Sequence, residues 1–178
     1  MKYFSYIALL LLAQAAYAAN IVAVLEIVPG ANVNEFSVDE IRHLTDNLRV
    51  EATRALPASN GFSVLTRDGL LALIPPDEEE AECLAESCTV EIGRIIGAEY
   101  ITSGGISKFA GKFALTVELY ETLNGKLLGS FSTEVQDVSS LLEVVRRDSP
   151  ALFAKINFPP TPIVHPLPIP LNLATVLG

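Results

Sequence analysis

The sequence is poor in the residues on which most site chemistry depends. Among 178 residues there are two histidines, two cysteines and one methionine. A zinc site needs four ligands, and His43 and His165 are the only histidines. Ser-His-Asp chemistry would have to use His43, at mid-helix spacing, or His165, in a proline-rich tail, and no G-x-S-x-G is present. Cations are scarce as well, 12 Lys and Arg against 21 Asp and Glu, for a formal net charge of −9. That balance disfavours nucleic acid, whose binding rests on cationic contacts to phosphate. No apolar run reaches the roughly 20 residues that a membrane-spanning helix needs.

Other chemistries fail on spacing. Gly104-Gly105-Ile106-Ser107-Lys108 lacks the G-x-x-x-x-G-K-[ST] pattern of a phosphate loop and leads into a strand. The acidic run at Asp77, Glu78, Glu79, Glu80, Glu82 and Glu86 lacks the alternation and the glycine of an EF-hand loop. A solvated loop of this kind cannot readily raise one carboxyl for acid catalysis. No catalytic residue, metal ligand or cofactor is expected from these patterns.

What is present begins with an export signal. Lys2 precedes the apolar stretch from Ile7 to Ala13, and Ala16-Tyr17-Ala18 fits the A-x-A rule, so cleavage is expected between Ala18 and Ala19. Residue 19 is not cysteine, so no lipobox is formed and the mature chain is expected to be a soluble periplasmic protein without a lipid anchor. Cys83 and Cys88 are then read as a disulfide, as suits an oxidising compartment. Residues five apart on one helix point about 140° apart, so the bridge requires an irregular backbone between them. Ser87 and Thr89 are candidate caps for a helix starting there.

Residues 20–28 form a nearly continuous β-branched apolar run, as expected of a strand buried on both faces. Ser37-Val38-Asp39-Glu40 reads as a capping box opening a helix that Pro57 closes. His43 lies on that helix beside Asp39 and Asp46, on a solvated face. A short strand from Gly61 to Thr66, a short helix from Leu70 to Ile74 and a helix from Cys88 to Ile96 follow. The period then changes from helical to alternating. Strands are expected at Tyr100–Phe109, Lys112–Glu121 and Lys126–Val135, joined by Ala110-Gly111 and the hairpin signal Asn124-Gly125. Ser140 to Glu143 reads as a second capping box, with a kink or restart at Ser149-Pro150. From Phe158 to Pro170 six of thirteen residues are proline, which excludes a helix or a central strand. The expectation is an α/β fold with a single mixed sheet in the order β-α-β-α-β-β-β-α. The first three strands are parallel, the last three form an antiparallel meander, and helices lie on both faces. Residues 1–18 are a signal peptide, 19–156 one domain and 157–178 a Pro-rich apolar tail.

Ile21 to Leu25, Leu44-Thr45-Asp46-Asn47-Leu48-Arg49, Phe62 to Arg67, and above all Cys88 to Ile101 followed by Gly104-Gly105-Ile106-Ser107-Lys108, resemble the CsgG and TolB-N-terminal type of bacterial envelope domain. LpoB-type activators and the FlgT middle domain are further members of that resemblance. It implies action through protein contacts in the envelope and carries no catalytic residues over. CsgG-like pores need a lipidated cysteine and two membrane-crossing hairpins, LpoB-like activators a lipid anchor, and TolB a propeller. This chain departs from each. The sequence therefore points to a non-enzymatic periplasmic adaptor or assembly factor with an envelope protein partner. A small-ligand or metal-binding protein with a cleft beside the acidic run is the second reading. A hydrolase using His43 and Ser107 is the third.

Overall fold

In the computed structural model, residues 19–31, 33–74 and 86–156 are described here. Met1 to Ala18, most of the acidic run with Cys83, and the tail with His165 lie outside the described residues. Strand β1 (Asn20–Pro29) is apolar at nearly every position, and Val22, Ala23, Val24, Leu25 and Ile27 are all buried. Such a strand must sit mid-sheet. It is flanked in parallel by β2 (Phe62–Val64) and β3 (Tyr100–Phe109). β4 (Lys112–Glu121) and β5 (Lys126–Val135) complete an antiparallel meander, giving the order β2-β1-β3-β4-β5. The expected mixed sheet and all three meander strands are observed.

Helices cover both faces. On one, α1 (Val38–Ala55) and α4 (Ser140–Phe153) bury Leu44, Leu48, Val145 and Phe153 against Val22, Leu115, Val117 and Leu119. On the other, α2 (Arg67–Leu71) and α3 (Glu86–Ile95) bury Leu70, Val90 and Ile92 against Ala23, Leu25, Ile101 and Tyr120. The alternation along β4 explains this division, since Tyr120 and Leu119 point to opposite faces.

β1 carries a bulge, with its register against β3 slipping between Val24 and Ile27. A bulge leaves backbone groups without ladder partners. Helix α1 supplies them. Arg49 Nη2 donates to the Val24 carbonyl at 2.9 Å, and the Ile27 N–H donates to Thr45 Oγ1 at 3.1 Å. Thr45 Oγ1 in turn donates to the Ile41 carbonyl at 2.9 Å. Two polar residues inside an apolar helix face thus fix how α1 sits on the sheet.

The helix ends test the sequence reading closely. The Ser37 capping box forms as expected: the Glu40 N–H donates to Ser37 Oγ at 3.2 Å and the Ser37 N–H to Glu40 Oε2 at 2.8 Å. α2 starts at Arg67, not Leu70, because Thr66 Oγ1 accepts the Gly69 N–H at 3.1 Å. α3 starts at Glu86, which places Ser87 and Thr89 inside the helix rather than at its cap. The box expected at Ser140 and Glu143 does not form. Asp137 accepts instead from the Ser140 N–H at 3.0 Å, from Ser140 Oγ at 2.9 Å and from the Ser139 hydroxyl. A carboxylate accepts more strongly than a hydroxyl and takes the helix start. Pro150 neither restarts nor ends α4. It is an exposed residue inside the helix, while Ser149, Leu152 and Phe153 stay buried around it.

Candidate interaction surface

Beyond Pro29 the chain turns sharply. The Gly30 N–H donates to the Ile106 carbonyl at 2.8 Å and the Val33 N–H to the Gly30 carbonyl at 2.9 Å. This turn carries the chain across the end of the sheet to Phe36, immediately before the Ser37 cap. Phe36 stands edge-on to Phe113 with ring centroids 5.4 Å apart. Phe36 and Ile41 occupy the positions of a hydrophobic staple, which fixes the angle at which the chain enters α1.

Two hollows flank Phe36. One, of about 490 Å³, lies between the starts of α1 and α4 and is lined by Leu44, Val138, Leu141 and Leu142, with Asp39, Glu40 and His43 at its side. The other, of about 380 Å³, lies between α1, the end of β1 and α2, and is lined by Val28, Val38, Ile41 and Leu71, with Arg42 and Arg67. Val38 is 66 % exposed and Leu71 56 %, and Leu73 follows at 46 %. Apolar walls with charged margins therefore form one end of the molecule.

The charges at this end are tied to the scaffold. Arg67 grips Glu26 with both terminal nitrogens, at 2.7 and 3.1 Å, and reaches Asp46 at 3.3 Å. Arg49 reaches the same Asp46 at 2.8 Å. Burial works against the Arg67 charge, yet Glu26, with Asp46 beside it, raises the guanidinium above its ordinary value. Lys108 bonds Glu35 and lies 5.1 Å from the Phe113 ring centre, and its hydrogen bond holds the Glu35 carboxyl below the usual range. These pairs set the shape of the surface.

The candidate catalytic pair is not assembled. His43 is exposed on α1, with its Nε2 3.5 Å from Asn47 Nδ2. Ser107 is exposed on β3 opposite Ala114, a position that alternates with Phe113 and so faces away from α1. The two lie on opposite faces of the sheet. Among the described residues no group of three His, Cys, Asp or Glu side chains could hold a metal ion, and no helix is long and apolar enough to cross a membrane. Ala19 is exposed at the first described position. Cys88 lies in α3, whereas Ala18 and Cys83 fall outside the described residues, as does the site of the cleft expected beside the acidic run. Sequence reasoning missed the surface around Phe36. Its signal was there in the spacing of Phe36, Ser37 and Ile41, and in Glu26, a lone charge within an apolar strand.

No family model matches the chain, and no curated protein matches it. Solved structures do resemble it. The LpoB C-terminal domain from Salmonella enterica is 21% identical with a TM-score of 0.47, over 74% of this chain and 93% of that one. TolB from Acinetobacter baumannii is 16% identical with a TM-score of 0.47, over 78% of this chain and 28% of that one. Lipoprotein GNA1162 from Neisseria meningitidis is 14% identical with a TM-score of 0.45, over 72% and 98%. Likeness at this level carries no functional inference.

Proposed function

We propose that the protein is a soluble, non-enzymatic interaction module of the periplasm, an adaptor or assembly factor that docks an envelope protein through the apolar end around Phe36. The observation that carries this reading is the pair of apolar hollows on either side of Phe36, with Val38 and Leu71 exposed beside them. Single exposed apolar residues are ordinary on a protein surface, but contiguous apolar patches mark binding sites. An apolar centre with charged residues at its margin is also how protein interfaces are built. The capping box and the Glu26–Arg67 pair hold the surrounding backbone in place, so the surface is preformed.

The remaining parts of the proposal concern processing. Residues 1–18 are an export signal cut between Ala18 and Ala19. No lipid anchor is attached, and Cys83 bridges Cys88. Kinship with the CsgG and TolB-N-terminal type of domain, LpoB and the FlgT middle domain included, belongs to the same proposal. The partner is a protein, and neither cofactor nor nucleic acid takes part.

The test is affinity capture from envelope extracts under mild crosslinking, with the unchanged chain and Leu71→Asp as parallel baits. A protein captured by the first and lost with the second supports the reading. Recovery of the same proteins by both baits, or of none by either, would count decisively against it.

A further inference from the structure

β5 ends the sheet. It is ten residues long, and no described element pairs with its outer edge. Alternate residues of such a strand turn their N–H and C=O groups outward, where another strand can pair with them. The opposite edge is β2, only three residues long and a much poorer template.

Helix α4 lies along β5 and runs against it. Thr133 Oγ1 donates to Asp148 Oδ2 at 3.0 Å, and Gly129 abuts Leu152 and Lys155. Between them opens a groove of about 230 Å³, with Phe131 and Leu152 among its lining, Arg147, Asp148 and Ala151 along α4, and Lys155 in the turn just past the helix end. Ala151 is small, so the wall is low in the middle, with Lys155 at one end and the Arg147–Asp148 pair at the other. Arg147 commits Nε and Nη2 to its neighbour Asp148, both at 2.8 Å. Lys155 is exposed and has no ion-pair partner among the described residues.

We propose that this edge binds an extended acidic segment of a partner protein, which adds to the sheet as a sixth strand beside β5. The charge decides the occupant. A chain of net charge −9 presents a groove with a lysine at one end and an arginine at the other. A second copy paired edge to edge would bring its own Arg147 and Lys155 to the same groove, cation against cation. The geometry also sets the spacing. Arg147 and Lys155 are eight residues apart, Lys155 in the turn that continues the end of α4, about 12 Å at the helical 1.5 Å per residue. An extended strand covers that distance in about four residues at 3.4 Å each. The segment therefore carries a carboxylate opposite Lys155 and an apolar side chain two residues on, entering the groove. A second acceptor follows two residues later, for Nη1 of Arg147, which the Asp148 pair does not use. Backbone pairing supplies affinity and these three side chains supply selectivity. This site is separate from the surface around Phe36 and does not depend on it.

The test uses the purified full chain and a labelled peptide of alternating threonines with Glu, Val and Glu at the three intervening central positions. Fluorescence anisotropy should show saturable binding, weakened about tenfold or more by Lys155→Glu and restored when the Glu facing residue 155 is exchanged for Lys. N-methylation of the central peptide bonds should abolish it without changing any charge. Equal binding of a peptide with Lys at both acidic positions would overturn the proposal. So would a concentration-dependent dimer lost in Lys155→Glu, because a second copy would then hold the edge. Binding that appears only after residues 157–178 are removed would overturn it too, because the chain itself would be the occupant. Circular dichroism of Lys155→Glu checks that the domain is intact, as expected for an exposed residue.

Discussion

Thr45→Val isolates the contact that seats α1 on the β1 bulge. Valine has nearly the shape of threonine, so the packing is kept and only the hydroxyl is lost. Thr45 is fully buried, and its Oγ1 accepts the Ile27 N–H at 3.1 Å while donating to the Ile41 carbonyl at 2.9 Å. The carbonyl remains in the helix ladder, so its loss matters little. The Ile27 N–H faces the bulge and has no ladder partner to return to. A buried donor left unpaired costs about 1–3 kcal/mol, and the added methyl recovers part of that as about 0.8 kcal/mol of apolar burial. The expected net loss is about 0.2–2 kcal/mol, read by urea unfolding followed by circular dichroism. Thr45→Ser keeps the hydroxyl, loses one methyl and serves as the control for packing. The m-value should stay constant, because neither change alters the surface exposed on unfolding. Thr45→Val unfolding at the same midpoint as the unchanged protein would refute the claim that this hydroxyl completes the bulge.

Three further outcomes are expected. Gly93→Ala should destabilise the domain by about 1–3 kcal/mol by overpacking, despite the higher helix propensity of alanine, because the new Cβ would meet Thr122 Cγ2 at 2.3 Å where α3 crosses the sheet; a thermal melt at or above the original midpoint would contradict this. Asp137→Ala should lower stability at neutral pH, because Asp137 accepts the hydroxyls of Ser139 and Ser140 and the Ser140 N–H, which hold its carboxyl below its ordinary value. A depressed folded pKa gives stability that is fully present above the unfolded value and lost as pH falls through the folded one. The gap between variant and parent should therefore close on acidification, and a gap that is constant with pH would contradict the assignment. Intact mass of the exported chain should begin at Ala19 and gain two hydrogens on reduction, from a Cys83–Cys88 bridge; a chain with two free thiols before reduction would rule the bridge out.

The sheet was legible because its signals are local and strong. β1 is apolar but for Glu26 within it, β4 alternates from Phe113 to Leu119, and Asn124-Gly125 fits a tight turn with Gly125 at φ 64°. Helix starts were legible only where one interaction competes. Ser37 had no rival and caps as expected, whereas Ser140 lost to Asp137, a carboxylate three residues earlier. The β1 bulge falls at Leu25 and Glu26, and a lone charge in an apolar run does not by itself reveal a slipped register. Its partners, Thr45 and Arg49, read as ordinary polar positions of a helix. The surface around Phe36 was hidden for a similar reason. It joins residues from the ends of β1, α1, α2 and α4, which only the folded sheet brings together.

The proposed function requires that the apolar end around Phe36 meet a protein. A photo-crosslinking residue at position 71, activated in the intact periplasm, measures this directly. The control is the same residue at position 123, where Leu123 is 81 % exposed in the β4–β5 turn, outside both hollows. The prediction is a discrete protein adduct from position 71 and none from position 123. No adduct from position 71, or the same adducts from both, would contradict it.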